Sequence, residues 1–265
     1  MTMNERKTCS TLSNPLILLL LSFVIVFFNG TQLISSASSA ANPVNAKTAM
    51  DLAMRSGKFI SLIFYEKKDP AYHTMSTCID NFAKSSQGKL IVHQSRVSDP
   101  REKEIVDRFD IRRARLPVIL IIAPNGAVTA GYEQKVTLDQ VKKSVEVPEL
   151  MLKVLKPLQE RKITLVLLQN EKTKFNKESS KAINDFIRDP KYKKVVSTIN
   201  ANPSASGSRE FLRQCSLATP QTEAVVVVML PPKTIAKVLK GKITKADVEA
   251  SLQTCTPGSG CCPGR

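Results

Sequence analysis

The chain has 265 residues, is 42% hydrophobic and 23% charged, and carries a net charge of +16. Once a removable leader is set aside, about 220 residues remain, enough for one large or two small domains with a real core. Lysine and arginine are spread along the chain rather than gathered in a block, which fits a solvated basic surface or an acidic partner. The chain has no tryptophan and little aromatic interleaving on strands, and it reads as exported, so nucleic acid is excluded as a partner.

Arg6 and Lys7 precede an apolar run from Leu16 to Phe28 that is broken only by Ser22, and small residues follow at Ser35 to Ala41. A charged start, a short apolar core and a small-residue exit make a signal peptide over residues 1–40, cleaved near Ala40. The run is short of the roughly 20 apolar residues that a spanning helix needs. The protein is therefore expected to be periplasmic or secreted, with an uncleaved N-terminal anchor, its only membrane contact, as the second choice. Loss of Glu5, Arg6 and Lys7 with the leader would leave the charge at +15. Five cysteines would remain in an oxidising compartment: Cys78, Cys215, Cys255, Cys261 and Cys262. Five is odd, so at least one is free, metal-bound or paired between chains.

The body of the chain repeats itself. "KFISLIFYEKKDPAYHTMSTCIDNFA" from Lys58 aligns without a gap on "KITLVLLQNEKTKFNKESSKAINDFI" from Lys162, at an offset of 104. Further on, "KVTLDQVKKSV" from Lys135 meets "KITKADVEASL" from Lys242 at an offset of 107, so three extra residues fall in the polar "NANPSASGS" loop. Each copy has the same predicted order. A helix over Ala46–Arg55 has its counterpart from Glu149, where Pro157 is expected to kink or end the helix. Short β-branched runs at Phe59–Phe64 and Ile163–Leu168 predict buried strands. An amphipathic helix follows, with Met75, Cys78, Ile79 and Phe82 on one face. Next come a strand at Leu90–His93, a helix at Arg101–Phe109, strands at Val118–Ile122 and Ala127–Tyr132 joined by Pro124-Asn125-Gly126, and a helix from Leu138. The Asn-Gly turn predicts a hairpin. The order α-β-α-β-α-β-β-α gives a mixed α/β sheet with helices on both faces.

At "FISLIFY", "GKLIVHQSRV" and "RFDIRRARLPVILIIAPNGAVTAGY" the chain resembles a thioredoxin-like domain. The resemblance implies two tandem thioredoxin-like domains, at residues 44–147 and 148–252, followed by a flexible cysteine-containing tail over residues 253–265. In that family two cysteines open the helix after the first strand, where the helix N-terminus lowers the pKa of the first thiol. Here Asp69 and Tyr72 occupy those positions, and the second copy has Thr173, Lys174, Phe175 and Asn176. Asp69 is a good N-cap and Pro70 suits the first helical position, so the helix start is kept without the nucleophile. The resemblance therefore implies no thioredoxin-type catalytic residue in either copy. Pro117 matches the family's usually cis proline, so Leu116 and Pro117 form a candidate peptide-binding edge, with a turn kept for the fold as the plainer alternative. In the second copy Ala224 stands at that position, and the nearby Pro220 is displaced, which puts cis geometry there in doubt.

Cys78 and Cys215 are expected to pack as small hydrophobes. Three thiols, Cys255, Cys261 and Cys262, lie among the prolines and glycines of the tail. They are candidate redox thiols, candidate ligands for thiolate-bound Cu(I) or Zn(II), or an inert end. The expected function is an exported, non-catalytic binding or scaffolding protein of the cell envelope with a protein or peptide partner, acidic if charge decides. The alternatives are an unconventional thiol–disulfide oxidoreductase using the tail, or a thiophilic-metal protein.

Overall fold

The computed structural model describes residues 45–253, so the leader and the tail thiols at Cys255, Cys261 and Cys262 lie outside the described residues. The first helix, α1 (Ala46–Arg55), is opened by Asn45, whose side chain accepts from the Thr48 N–H while Thr48 answers to the Asn45 backbone. β1 (Phe59–Tyr65), α2 (Pro70–Ser85), β2 (Leu90–Arg96), α3 (Lys103–Arg108), β3 (Val118–Ile122), β4 (Val128–Glu133) and α4 (Leu138–Val145) complete the first domain. The second repeats the order: α5 (Glu149–Gln159), β5 (Ile163–Leu168), α6 (Asn176–Arg188), β6 (Val196–Ala201), α7 (Arg209–Gln214), β7 (Val225–Leu230), β8 (Thr234–Lys240) and α8 (Lys245–Gln253).

Two four-stranded mixed sheets result, in the orders β2-β1-β3-β4 and β6-β5-β7-β8. β1 runs parallel to β2 and antiparallel to β3, and β5 stands in the same relation to β6 and β7. Strand alternation sends Ile60, Leu62 and Phe64 to a core with α1 and α3, and Ile63 to a core with α2 and α4. In the second sheet Val166 and Leu168 meet α5 and α7, while Leu165 and Leu167 meet α6 and α8. These are two tandem thioredoxin-like domains, each a mixed sheet between two helical layers.

Several expectations need adjusting. β2 runs three residues past His93, to Arg96, because its register with β1 continues to Tyr65. The helix expected at Arg101–Phe109 begins as a 3₁₀ turn over Pro100–Glu102 and becomes α-helical only from Lys103. Pro157 neither ends nor breaks α5: it sits in the last turn and the helix runs two residues beyond it. The Asn-Gly hairpin between β3 and β4 forms, with Gly126 at φ +80, a conformation that L side chains rarely adopt.

Two contacts dock the second domain's first helix on the first domain's edge. Asn125 Nδ2 donates to the Leu152 carbonyl at 2.7 Å. The Gln159 carboxamide pairs with both main-chain groups of Val128, accepting from its N–H at 2.9 Å and donating to its carbonyl at 2.7 Å. Gln159 thereby covers part of the edge of β4 that no strand pairs.

Candidate functional site

The site grows from the end of β1. Asp69, extended at φ −80 and ψ 175, turns its side chain back to accept the Tyr72 N–H at 2.8 Å, and Pro70 takes the first helical position. This carboxylate is therefore engaged by the helix start, where an anion is favoured by the exposed N–H groups. Tyr72 is buried at 3% exposure. Its ring lies 4.8 Å from that of Tyr65, and its hydroxyl donates to Gln94 Oε1 at 2.5 Å. Lys68 Nζ stands 5.5 Å from the centroid of each of these two rings, a cation–π arrangement.

The β1–β3 register pairs Phe64 with Val118, which brings Tyr65 opposite Pro117. The Leu116–Pro117 peptide is cis and Pro117 is buried. The Pro117 carbonyl accepts from the Gln134 N–H at 2.8 Å. The Leu116 carbonyl has only a long contact, 3.5 Å, from Gln134 Nε2. Among the described residues the Leu116 N–H and the Arg115 N–H and carbonyl have no partner. The candidate edge thus offers free main-chain groups beside an aromatic and cationic cluster.

Thiol–disulfide exchange needs a thiolate, and neither Asp69 nor Tyr72 supplies one. The first thiol along α2 is Cys78, partly buried against Phe82 and its neighbours, with its pKa raised by burial. Cys215 at the end of α7 is more buried, and its pKa is pushed up to about 11 by the same desolvation. Both thiols thus sit in apolar packing. Among the described residues no group of three His, Cys, Asp or Glu side chains could hold a metal ion.

The equivalent place in the second domain is built differently. Phe175 ahead of α6 is left-handed at φ 65 and gives no side-chain cap. Asn170, Thr173 and Asn176 bond to one another instead, with Thr173 Oγ1 to Asn176 Oδ1 at 2.7 Å and Asn176 Nδ2 to the Asn170 carbonyl at 2.7 Å. The Lys174 N–H donates to the Thr222 carbonyl at 2.9 Å, and the Ala224 N–H donates to the Lys174 carbonyl at 2.8 Å. This parallel bridge occupies the stretch that corresponds to Arg115–Pro117. Thr219–Pro220 is cis despite its displacement, which overturns the doubt raised from sequence, and Pro231–Pro232 is cis as well.

Sequence reasoning finds Asp69, Tyr72, Leu116 and Pro117, and the structure brings Tyr72 and Pro117 together through Tyr65. It misses Tyr65 and Lys68, although "FYEKKDPAY" carries the signal as an aromatic residue and a lysine pair flanking the helix start. It also misses Glu102, the one buried charged residue among those described. Glu102 Oε2 accepts the Ala46 N–H at 2.9 Å and Oε1 lies 3.3 Å from His93 Nε2, so it ties α1 to β2.

No protein-family model matches the sequence, and no curated protein matches it. Solved structures similar to it are thioredoxin-like. Malaria parasite thioredoxin-2, described as a component of the parasite's protein secretion machinery, is 18% identical over 34% of this chain and 82% of its own, with a TM-score of 0.29. The first two thioredoxin domains of Naumovozyma dairenensis Eps1p are 10% identical over 83% of this chain and 98% of theirs, with a TM-score of 0.31. Human ERp44 in its zinc-bound form is 9% identical over 79% of this chain and 57% of its own, with a TM-score of 0.34. At these values the likenesses bear on neither chemistry nor partners.

Proposed function

We propose that this is an exported thioredoxin-like binding protein of the cell envelope, periplasmic or secreted, whose first domain holds an extended protein or peptide segment along Leu116–Pro117. The observation that carries the reading is a contrast within one site. The helix opening holds a capping carboxylate and a packed phenol where a thiol pair would act, while the neighbouring edge keeps unpaired main-chain groups. Such an edge suits strand addition, in which backbone bonds supply affinity and flanking pockets supply selectivity. Tyr65, Tyr72 and Lys68 would be those flanks. The rival reading rests on thiol or metal chemistry at Cys255, Cys261 and Cys262.

Insulin-disulfide reduction by the full chain and by its Cys255→Ser/Cys261→Ser/Cys262→Ser variant separates the two. Neither is expected to exceed the no-enzyme rate. Turnover by the parent chain that is lost in the variant would establish the tail chemistry, and turnover that survives in the variant would overturn the non-catalytic reading of the domains. For the edge, extended peptides are expected to shift the amide resonances of Arg115 and Leu116. Peptide binding that leaves those resonances in place would remove the site.

A further inference from the structure

A second surface lies in the other domain and stands independently of the function proposed above. Each sheet has two outer strands whose free N–H and C=O groups invite another chain, and two of the four are broken by a bulge. β4 carries a bulge and has Gln159 on Val128. β8 carries a bulge and two lysines, Lys237 and Lys240. β2 has no bulge, but it ends on a charge, Arg96, which pairs with Glu66. β6, with the sequence VSTINA, has no charge, no proline and no bulge, and its register with β5 is continuous.

Ile163 donates to the Val195 carbonyl and Gln169 to the Ala201 carbonyl, so the odd-numbered residues of β6 turn their main-chain groups toward β5. Val196, Thr198 and Asn200 therefore turn theirs outward, where no described residue bonds to them. Beside them lies a shallow cleft of about 390 Å³ lined by Ile187, Arg188, Lys193, Val196 and Thr198. Lys194 and the 46%-exposed Val195 adjoin it. Arg188, Lys193 and Lys194 form no ion pair among the described residues, because the nearby Asp185 and Asp189 are engaged by Lys181 and Lys245. The corresponding entry to β2 has two cations, Lys84 and Lys89, with Leu90 in the place of Lys194. The charge bias extends to the domains: residues 148–253 hold 19 Lys and Arg against 10 Asp and Glu, and residues 45–147 hold 17 against 12.

We infer that the outer edge of β6 is a docking site for an acidic extended segment of a partner protein. The segment adds as a further strand on Val196, Thr198 and Asn200, and its carboxylates meet Arg188, Lys193 and Lys194. An uncharged edge permits pairing, and the unneutralised cations at its entrance select the sign of the visitor.

The test is fluorescence anisotropy on the full chain with a dye-labelled nonapeptide alternating valine and glutamate, against its glutamine and lysine counterparts. The glutamate peptide is expected to bind at least tenfold more tightly than the glutamine one, and the lysine peptide not at all. Lys193→Glu/Lys194→Glu should weaken binding at least tenfold, while Lys84→Glu/Lys89→Glu, the same charge change on the first domain, should leave it unchanged. Thr198→Pro removes only an outward N–H, which an edge strand tolerates, and should abolish binding while circular dichroism stays that of the parent. Equal binding to parent and Thr198→Pro, equal effects of the two double variants, or no binding of the glutamate peptide would each overturn the inference. So would sedimentation showing a dimer that Thr198→Pro dissolves, since the edge would then serve a second copy. Binding to anionic vesicles without binding to the peptide would overturn it as well.

Discussion

The two domains share strand order and helix placement, yet they treat the same places in opposite ways. In the first, the loop before α2 caps its helix with Asp69 and leaves Arg115–Leu116 unpaired. In the second, the loop before α6 gives up the cap, lets Phe175 turn left-handed, and spends Lys174 on the stretch before β7. The matching outer strands also differ: the first domain's β2 ends on Arg96, which pairs with Glu66, and the second domain's β6 carries no charge. Duplicated folds can thus present different free backbone while keeping one core, because edge and loop groups are set by a few side chains rather than by the hydrophobic pattern.

The thiols give the widest separation between the halves. Cys215, at 8% exposure and with its pKa pushed up to about 11, is almost wholly protonated at neutral pH. At pH 8 about one thiol in a thousand would be ionised, against about a quarter for an ordinary cysteine. Its alkylation under native conditions should therefore run at least a hundredfold slower than that of an exposed model thiol. Cys78, only partly buried, should fall between the two. Iodoacetamide labelling followed by peptide mass spectrometry reads each site. Fast labelling of Cys215 would mean that α7 is not packed as described.

Next in size is the buried carboxylate. Glu102→Ala leaves the Ala46 N–H and His93 without their partner inside the first domain, and should cost about 2–3 kcal/mol by urea unfolding. The second domain opens its matching helix after Pro148 with no side-chain cap, and its Glu149 is an exposed partner of Lys153. Glu149→Ala should therefore leave stability close to that of the parent, because its pair with Lys153 is exposed. Equal losses in the two variants would show that the first domain's tether is not special.

These cases mark what the sequence carries. The strands at Val118–Ile122 and Ile163–Leu168 are readable because their β-branched runs are buried on both faces and have no competing pattern. The hairpin is readable because Asn125-Gly126 demands a positive φ. The empty helix opening at Asp69–Tyr72 is readable because a capping residue and a proline stand together. Glu102 is not, since nothing local distinguishes a glutamate that reaches back 56 residues to Ala46 from an exposed one. Lys174 pairing with Thr222 and Ala224 is likewise a long-range choice, made where a left-handed Phe175 redirects the loop. Pro157 misleads because it costs α5 a single bond, the one to the Lys153 carbonyl, and the helix has only two residues left to run beyond it.

A smaller effect tests the joint between the halves. Gln159→Ala removes two hydrogen bonds from an exposed carboxamide and should cost about 1 kcal/mol. The loss should be local, so amide exchange should quicken at Val128 and stay unchanged at β6. Unchanged exchange at Val128 would remove Gln159 as the cover of β4.

The smallest expected effects are two surface carboxylates, one per domain. The Arg101 fork holds Asp99 at about 2, and Arg213 with Gln214 holds Glu210 at about 2. Both groups are depressed below their unfolded values near 4, so each favours the folded state above that pH and loses its contribution as pH falls toward 2. Stability should therefore fall between about pH 4 and pH 2, and Asp99→Asn or Glu210→Gln should each flatten that fall slightly. The pairs are exposed, so 0.5 M salt should shrink the difference between variant and parent. Carboxyl carbon shifts followed by NMR give the two values directly. If Asp99 titrates near 4, the Arg101 fork is open in solution. If Glu210 does so, α7 is looser than its packing implies, and the slow labelling predicted for Cys215 at its end should fail with it.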